Sequence, residues 1–362
     1  MCETSNLDYR TILRNAQAKG IDPSLEPVQQ MLRELGDPDL AFRAIQVAGT
    51  NGKTSTARYT AAILAGEGLK VGLYLSPMLM DYLDQIEVEG QTIDEVELSS
   101  AVIDAWQAGQ RVNARREELG LSELPLTEFD LLTVAAVLVF CRRGVDVAVL
   151  EAGMGGQWDA TSAVRSINTV GVTGIGLDHT RILGTTLAQI AQNKAAVIQA
   201  GRACVLGPGT QSDPEVAEVF ERRCAEQQVE PVIVGEDSAG AKNVDAIYKA
   251  EMLAQDKGAL RVSVCTTIAT YTDLQAPKPR YQAQNIACAL VLSQVFLGRT
   301  LNVDALRASV RECRTPGRFD ILRTDPLVLV DACHNPQSVQ AFLDAWCSLY
   351  PNAIPTAHSA PT

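Results

Sequence analysis

The sequence lacks several things that would define common functional classes. Its longest mostly apolar stretch, Leu131 to Cys141, falls short of the roughly 20 residues a bilayer-spanning helix needs and reads instead as part of a buried helix. Residues Met1 to Arg10 are polar and contain no apolar core of a signal peptide, so none is expected. None of the nine cysteines, scattered from Cys2 to Cys347, forms a CxxC pair. Such a set reads as reduced thiols and predicts a cytoplasmic protein. Positive charge is the minority, with 31 Lys and Arg against 43 Asp and Glu and a net charge of -12. That balance gives no reason to expect nucleic acid or a membrane surface as partner, although one local site can still be positive. Only three histidines are present, His179, His334 and His358. No Ser/His/Asp or Cys/His constellation stands out, nor a glycosidase-like acid pair or an internal repeat. An enzyme without a nucleophile of its own can use a carboxylate of its substrate to accept phosphate.

What is present is an ordinary globular composition, 46% apolar and 5% aromatic. A chain of 362 residues exceeds the ~150 of a typical domain and predicts two. Short helices are expected over 6–45, broken at Gly20–Pro23 and Gly36–Pro38. Ala44–Ala48 reads as a strand, Thr54–Ala65 as a helix stopped by Gly66 and Gly68, and Leu69–Leu75 as a second strand. Thr127 and Asp130 form a T-x-x-D cap ahead of a helix running to Arg143, with Gly144 as its stop. Val145–Leu150 suits a central parallel strand, and Thr169–Ile175 is another strand candidate. Over 205–280 the pattern gives a helix near Pro214–Gln227 and then short β-like pieces. Strands alternating with helices predict an α/β fold, a phosphate-loop-type, mostly parallel sheet flanked by helices.

Thr315-Pro316-Gly317 reads as a hinge. Phe319–Leu322 and Leu327–Val330 follow as strands, Ser338–Leu349 as a helix, and 351–362 as a disordered tail. The expected organisation is a main domain over 1–314 and a small Rossmann-like α/β piece over 317–350. The 46 residues from Gly317 to Thr362 make a poor independent core, so this piece reads as a truncated domain or one that leans on its neighbour.

Gly49-Thr50-Asn51-Gly52-Lys53-Thr54-Ser55 is the sharpest local signal. It lies between a predicted strand and a predicted helix, where backbone N–H groups bind phosphate. Lys53 would reach the terminal phosphates and the Thr54 hydroxyl would face Mg²⁺. Val47 stands where the longer form of this loop has its first Gly; the plainer alternative is a Gly-rich turn with a surface lysine. Glu151 follows a predicted strand, where ligands of open α/β sheets gather, and a carboxylate there suits Mg²⁺; capping the turn over Gly153–Gly156 is the alternative. His179 also follows a strand candidate, and the competing reading is a packed structural histidine. Asp331 and His334 repeat the arrangement after Leu327–Val330, where Asn335-Pro336 could equally mark a simple Asx turn.

Together the segments AGTNGKTS (48–55), SPML (76–79), T-x-F-D (127–130), LEAGMGGQWDATS (150–162), GLDHTRILGTTLAQIAQNKAAVI (176–198), YQAQN (281–285), TPGRFDIL (315–322) and VDACHNP (330–336) resemble one family. It is that of the folylpolyglutamate synthases and bifunctional dihydrofolate synthases, within the Mur ligase superfamily, and the resemblance covers about residues 5 to 350. It implies ATP-dependent ligation of L-glutamate to a folate or dihydropteroate carboxylate through an acyl phosphate. It also implies roles for residues matching the motifs. Thr50, Asn51, Gly52, Lys53, Thr54, Ser55, Asn285, Arg318 and Asp331 would contact ATP. Ser76, Glu151 and His179 would hold Mg²⁺. Lys194 matches a lysine carbamylated in many members, which supplies a carboxylate to a second Mg²⁺. His334 would lie near the incoming glutamate, with Lys53 and Lys194 also in the catalytic set. Thr127, Phe129, Asp130, Trp158, Asp159 and Ala160 would line the pterin pocket. A monomer is expected, with small molecules as its only partners.

The chain departs from the family pattern at Thr54, usually Gly, at Met78, usually His, and at Tyr281, often His. The family's C-terminal domain also continues beyond the DACHNP helix. Two other readings stay open here. A peptidoglycan Mur ligase would need an N-terminal domain for a UDP moiety, and only 48 residues precede Gly49. A truncated, non-catalytic nucleotide-binding protein would leave Lys53, Glu151, His179, Lys194, Asp331 and His334 unexplained.

Overall fold

The fold is taken from a computed structural model, which describes residues 8–18, 20, 23–237, 244–253 and 259–351. The tail expected over 351–362 lies, from residue 352 onward, outside the described residues, as do residues 6 and 7 of the predicted N-terminal helices.

Two short helices, α1 (Tyr9–Gln17) and α2 (Glu26–Glu34), lead into strand β1 (Arg43–Ala48), the phosphate-loop segment and helix α3 (Lys53–Gly66). Then come β2 (Val71–Tyr74), the hairpin strands β3 (Ile86–Val88) and β4 (Gln91–Thr92), and helices α4 (Glu95–Glu118) and α5 (Glu128–Arg143). Strands β5 (Val147–Glu151) and β6 (Ile167–Gly174) complete the centre; short α6 (Thr180–Leu183) and α7 (Leu187–Ala195) follow. The chain continues through β7 (Ala203–Gly209), α8 (Pro214–Gln227), β8 (Pro231–Glu236), β9 (Ala246–Leu253), β10 (Ala259–Cys265) and β11 (Thr270–Ala276). Helices α9 (Gln282–Leu297) and α10 (Val303–Glu312) close this part. Last are β12 (Asp320–Thr324), β13 (Leu327–Val330) and α11 (Pro336–Leu349).

One 11-stranded sheet runs β11-β10-β9-β8-β7-β6-β1-β5-β2-β3-β4. From β9 to β2 every pairing is parallel, and antiparallel strands extend both edges. The predicted mostly parallel α/β sheet is therefore present, with the hairpins as additions. Residues of β1 alternate between two cores, as a period of two requires. Ala44 and Ala48 join the core built with α1, α2, α4, α5, α7 and α8, while Ile45 and Val47 join the core of α3, α9 and α10. Strands β12 and β13 form a separate two-stranded sheet.

Several boundaries moved for local reasons. The strand predicted as Val145–Leu150 runs Val147–Glu151, so Glu151 is its last residue and pairs with Val47 rather than following the strand. The last helix starts at Pro336, two residues earlier than expected, because Asn335 caps it: the Asn335 side chain accepts from Ser338 N at 2.9 Å. The strand predicted to begin at Phe319 begins at Asp320, because Phe319 has φ 46, outside the strand region. The cap predicted at Thr127 and Asp130 is a reciprocal capping box, and Gly144 ends α5 at φ 62.

Candidate active site

The segment after β1 folds as a phosphate loop should. Gly49 has φ 139 and Gly52 φ 84, and a Cβ at these positions would meet Thr173 Oγ1 at 2.1 Å and Asn285 Oδ1 at 2.3 Å. Both glycines are required by their backbone and by the closeness of their neighbours. The loop is held by later strands. Thr50 N donates to Gly174 O (2.8 Å), Thr173 Oγ1 to Asn51 O (2.6 Å) and Lys194 Nζ to Gly49 O (2.7 Å). Gly52 is the N-cap of α3 and offers no side-chain acceptor to the first-turn N–H groups, an arrangement that suits an anion. Lys53 Nζ donates to Thr50 O at 3.2 Å, folded back along the loop. Ser55 is buried and accepts from Gln282 Nε2 at 3.2 Å, and Asn285 on the next turn of α9 donates to Gln282 Oε1 at 2.9 Å.

Glu151 reaches this loop from the end of β5 and is 1% exposed. Its two oxygens accept from Thr54 Oγ1 (2.8 Å) and from the backbone N–H of Ser76 (3.2 Å). Burial pushes its carboxyl above the usual range, while Lys53 and Thr54 pull the other way. Lys194 is also buried, and burial with Lys53 nearby brings its amine down to about 7. His179, with φ 48, sits just before α6 with its side chain about half exposed; partial burial lowers its pKa, against the attraction of Asp178.

The C-terminal segment meets the same edge. Arg318 Nη2 donates to Thr54 Oγ1 at 3.1 Å. Asp331 accepts from Phe319 N (2.7 Å), Cys333 N (2.9 Å) and the Tyr281 hydroxyl (3.1 Å). Lys278 Nζ donates to Arg318 O at 3.2 Å. Asn51 and Asn335 exchange amide hydrogen bonds of 3.3 and 2.9 Å, and Asn51 Nδ2 also donates to Gln337 Oε1 at 2.8 Å. His334 approaches Asp178, with Nε2 at 3.3 Å from Oδ2. Burial raises the Asp178 carboxyl, but His179 and the hydrogen bonds around it outweigh this and leave it below the usual range.

The other predicted residues line the flank around Gly153. Phe129 stacks on Tyr74 with ring centroids 5.9 Å apart and covers Gly153, where a Cβ would meet its Cζ at 2.8 Å. Thr127 and Asp130 are buried, and their side chains bond each other at 2.7 Å within the helix cap. Asp159 is buried and accepts from Met154 N and Thr161 N at 2.9 and 3.0 Å; burial raises its carboxyl. These three polar side chains shape the backbone of the flank. Ala160 is buried, whereas Trp158 is half exposed and open to a ligand.

Sequence reasoning assigned no role to Asp178, Gln337, Gln282 or Thr173. Asp178 stands beside His179 in a segment already singled out, which was its only signal. The other three gain meaning only through partners more than a hundred positions away.

A parallel sheet with a phosphate loop after its central strand, an acid at the neighbouring strand end and a second element meeting that loop is the frame of a phosphate-loop nucleotide-binding protein, and within that frame the chain is of the Mur ligase class. The profile of the Mur ligase middle domain matches residues 47–293. The folylpolyglutamate synthase of Lacticaseibacillus casei is 30% identical over 328 residues, covering 90% of this chain and 72% of the relative. The probable bifunctional folylpolyglutamate synthase/dihydropteroate synthase of Haloferax volcanii is 36% identical over 328 residues, 90% of this chain but 36% of the relative, so the chain spans about a third of that protein. The folylpolyglutamate synthase of Mycobacterium tuberculosis, solved with ADP and AMPPCP, superposes with TM-score 0.83 at 27% identity, over 95% of this chain and 75% of that one. The chain belongs to the folylpolyglutamate synthase/dihydrofolate synthase family. Among the described residues no helix is long and apolar enough to cross a membrane.

Proposed function

We propose that this chain is an ATP-dependent acid–amino-acid ligase that joins L-glutamate to the carboxylate of a folate or dihydropteroate. The observation that carries the reading is the junction at Thr54, where the phosphate loop, Glu151 from β5 and Arg318 from beyond the hinge meet within hydrogen-bond distance. A related structure described as an FPGS–AMPPCP–folate complex superposes with TM-score 0.83 over 96% of this chain and 82% of that one, at 27% identity.

In the proposed reaction a substrate carboxylate oxygen attacks the γ-phosphorus of ATP and ADP leaves. The glutamate amine then displaces phosphate from the acyl carbon to form the amide. The loop N–H groups, Lys53 and Arg318 hold the phosphates and balance charge as it develops. Asn285 and Asp331 border the nucleotide. Thr127, Phe129, Asp130 and residues 158–160 form the pterin side, where Phe129 and Trp158 offer ring faces. The donors shown at Glu151 suit Mg²⁺: its buried carboxylate and the Thr54 hydroxyl bonded to it are hard oxygen ligands, and Ser76 and His179 are proposed to complete the set. Mg²⁺ bound there would neutralise phosphate charge. The Lys194 amine, brought down to about 7, is in good part neutral at physiological pH, the form that takes up CO₂ to become a carbamate; carbamylated Lys194 is proposed to serve a second Mg²⁺. His334 sits on the glutamate side. Residues 1–314 would form the ATP-binding unit and 317–350 the piece closing over it.

Phosphate release by the purified chain with Mg-ATP, L-glutamate and either dihydropteroate or tetrahydrofolate tests the reading. Release that requires both the pterin and glutamate is expected. Equal release with either one omitted would sink it.

A further inference from the structure

Helix α11 buries none of its side chains fully. It is attached through Phe342, whose ring centroid lies 5.8 Å from that of Phe319, and through polar contacts made at its N-terminus. Two of those polar contacts meet on one carboxylate that has no part in the ligand sets above. Asp178 Oδ1 accepts from His179 N at 2.8 Å. Its Oδ2 lies 3.3 Å from His334 Nε2 and accepts from Asn335 Nδ2 at 3.4 Å. The other ring nitrogen of His334, Nδ1, faces Ala332 O at 2.9 Å, so the imidazole is held on both sides. Asn335 in turn pairs with Asn51 of the phosphate loop. The two segments approach closely: a Cβ at Gly176 would come within 2.3 Å of Gln337 Oε1.

We infer that Asp178 is a positioning residue that sets the orientation of His334 and seats the start of α11 on the phosphate loop. The part concerning turnover rests on the ligase reading above; the part concerning geometry does not. A carboxylate suits this place because its two oxygens accept from the His179 and Asn335 N–H groups and still face the His334 ring, which a single amide oxygen does less well. It spans the ends of β6 and β13, so the amine side and the phosphate side of the site share one anchor.

The test uses the full chain with Asp178→Asn, Asp178→Ala and Asp178→Glu. Only three histidines are present, so ring signals of ¹⁵N-histidine-labelled protein are few, and His334→Gln assigns the relevant set. In Asp178→Ala and Asp178→Asn the His334 ring signals are expected to move, and amide protection at the start of α11 to fall at least tenfold. Asp178→Glu should recover part of both. In the activity assay the variants should lose about a hundredfold in kcat/KM for glutamate, the scale of a misplaced reactant, while KM for ATP changes less than about threefold. A folded Asp178→Asn protein with wild-type His334 signals and wild-type α11 protection would overturn the inference. A wild-type chain without glutamate-dependent turnover would overturn the ligase reading instead, and the spectroscopic arm would still decide the role of Asp178.

Discussion

Arg318 donates to the hydroxyl of Thr54 at 3.1 Å, across 264 positions of sequence, and that hydroxyl donates onward to Glu151. One side chain of the phosphate loop thus reads both the buried acid and the segment beyond the hinge. Replacing Thr54 by Val leaves a buried carboxylate oxygen short of a donor, at a cost of about 1–3 kcal/mol. Urea denaturation should register that loss, and Thr54→Ser should restore most of it. A Thr54→Val protein as stable as wild type would mean the bond to Glu151 contributes nothing.

Lys53→Ala is expected to lower phosphoryl transfer on the order of 100- to 1000-fold. The melting temperature should change little, because Lys53 is partly exposed and its bond is to a nearby carbonyl. Full activity in a well-folded variant would remove the loop assignment.

Glu151 separates stability from activity. Burial raises its carboxyl above the ordinary value. Above that value the unfolded chain releases a proton that the folded chain tends to keep, so this group's contribution to stability declines as pH rises. Glu151→Gln removes the decline. At neutral pH it should melt no lower than wild type while losing most turnover; a clearly lower melting temperature would show that the charge is balanced in the fold.

Lys194 gives a pH signature of opposite slope. Its amine titrates at about 7 in the fold against 10.5 ordinarily. Between these values the unfolded chain holds the extra proton, so the group's contribution rises with pH across that window. In CO₂-free buffer, Lys194→Met should be more stable than wild type near pH 7, and the difference should shrink as pH rises toward 10. A difference that stays constant over this range would refute the burial argument. Adding bicarbonate should shift wild type and leave the Met variant unmoved.

The Thr127 cap belongs to a helix whose apolar side chains are almost all buried. Thr127→Ala should cost about 1 kcal/mol, measurable by urea denaturation. Thr127→Ser should cost much less.

Much of this was legible in the sequence because it is locally encoded. The Gly49–Ser55 loop, the Thr127–Asp130 cap and the Val-rich strand before Glu151 each announce themselves within a few residues. Helix α4, Glu95–Glu118, went unread because its apolar positions are mostly Ala and Val spread among charged residues. The antiparallel strands β9 to β11 showed only as short β-like pieces, since they alternate buried and exposed positions along a largely polar surface. The candidate residues at strand ends were legible from motifs. Their couplings were not, because Asp178–His334 and Asn51–Asn335 span 156 and 284 positions and leave no local trace.

The phosphate loop owes its shape to residues translated long after it. Gly49 is braced by Lys194 and Asn51 by Thr173, which follow by 145 and 122 positions. While the chain emerges from a ribosome, N-terminus first, residues 49–55 therefore remain without these braces until β6 and α7 have emerged and docked. Loop closures of that length are slow steps in folding. Acquisition of nucleotide affinity by a growing chain would consequently report assembly of the whole central sheet, not completion of the loop itself.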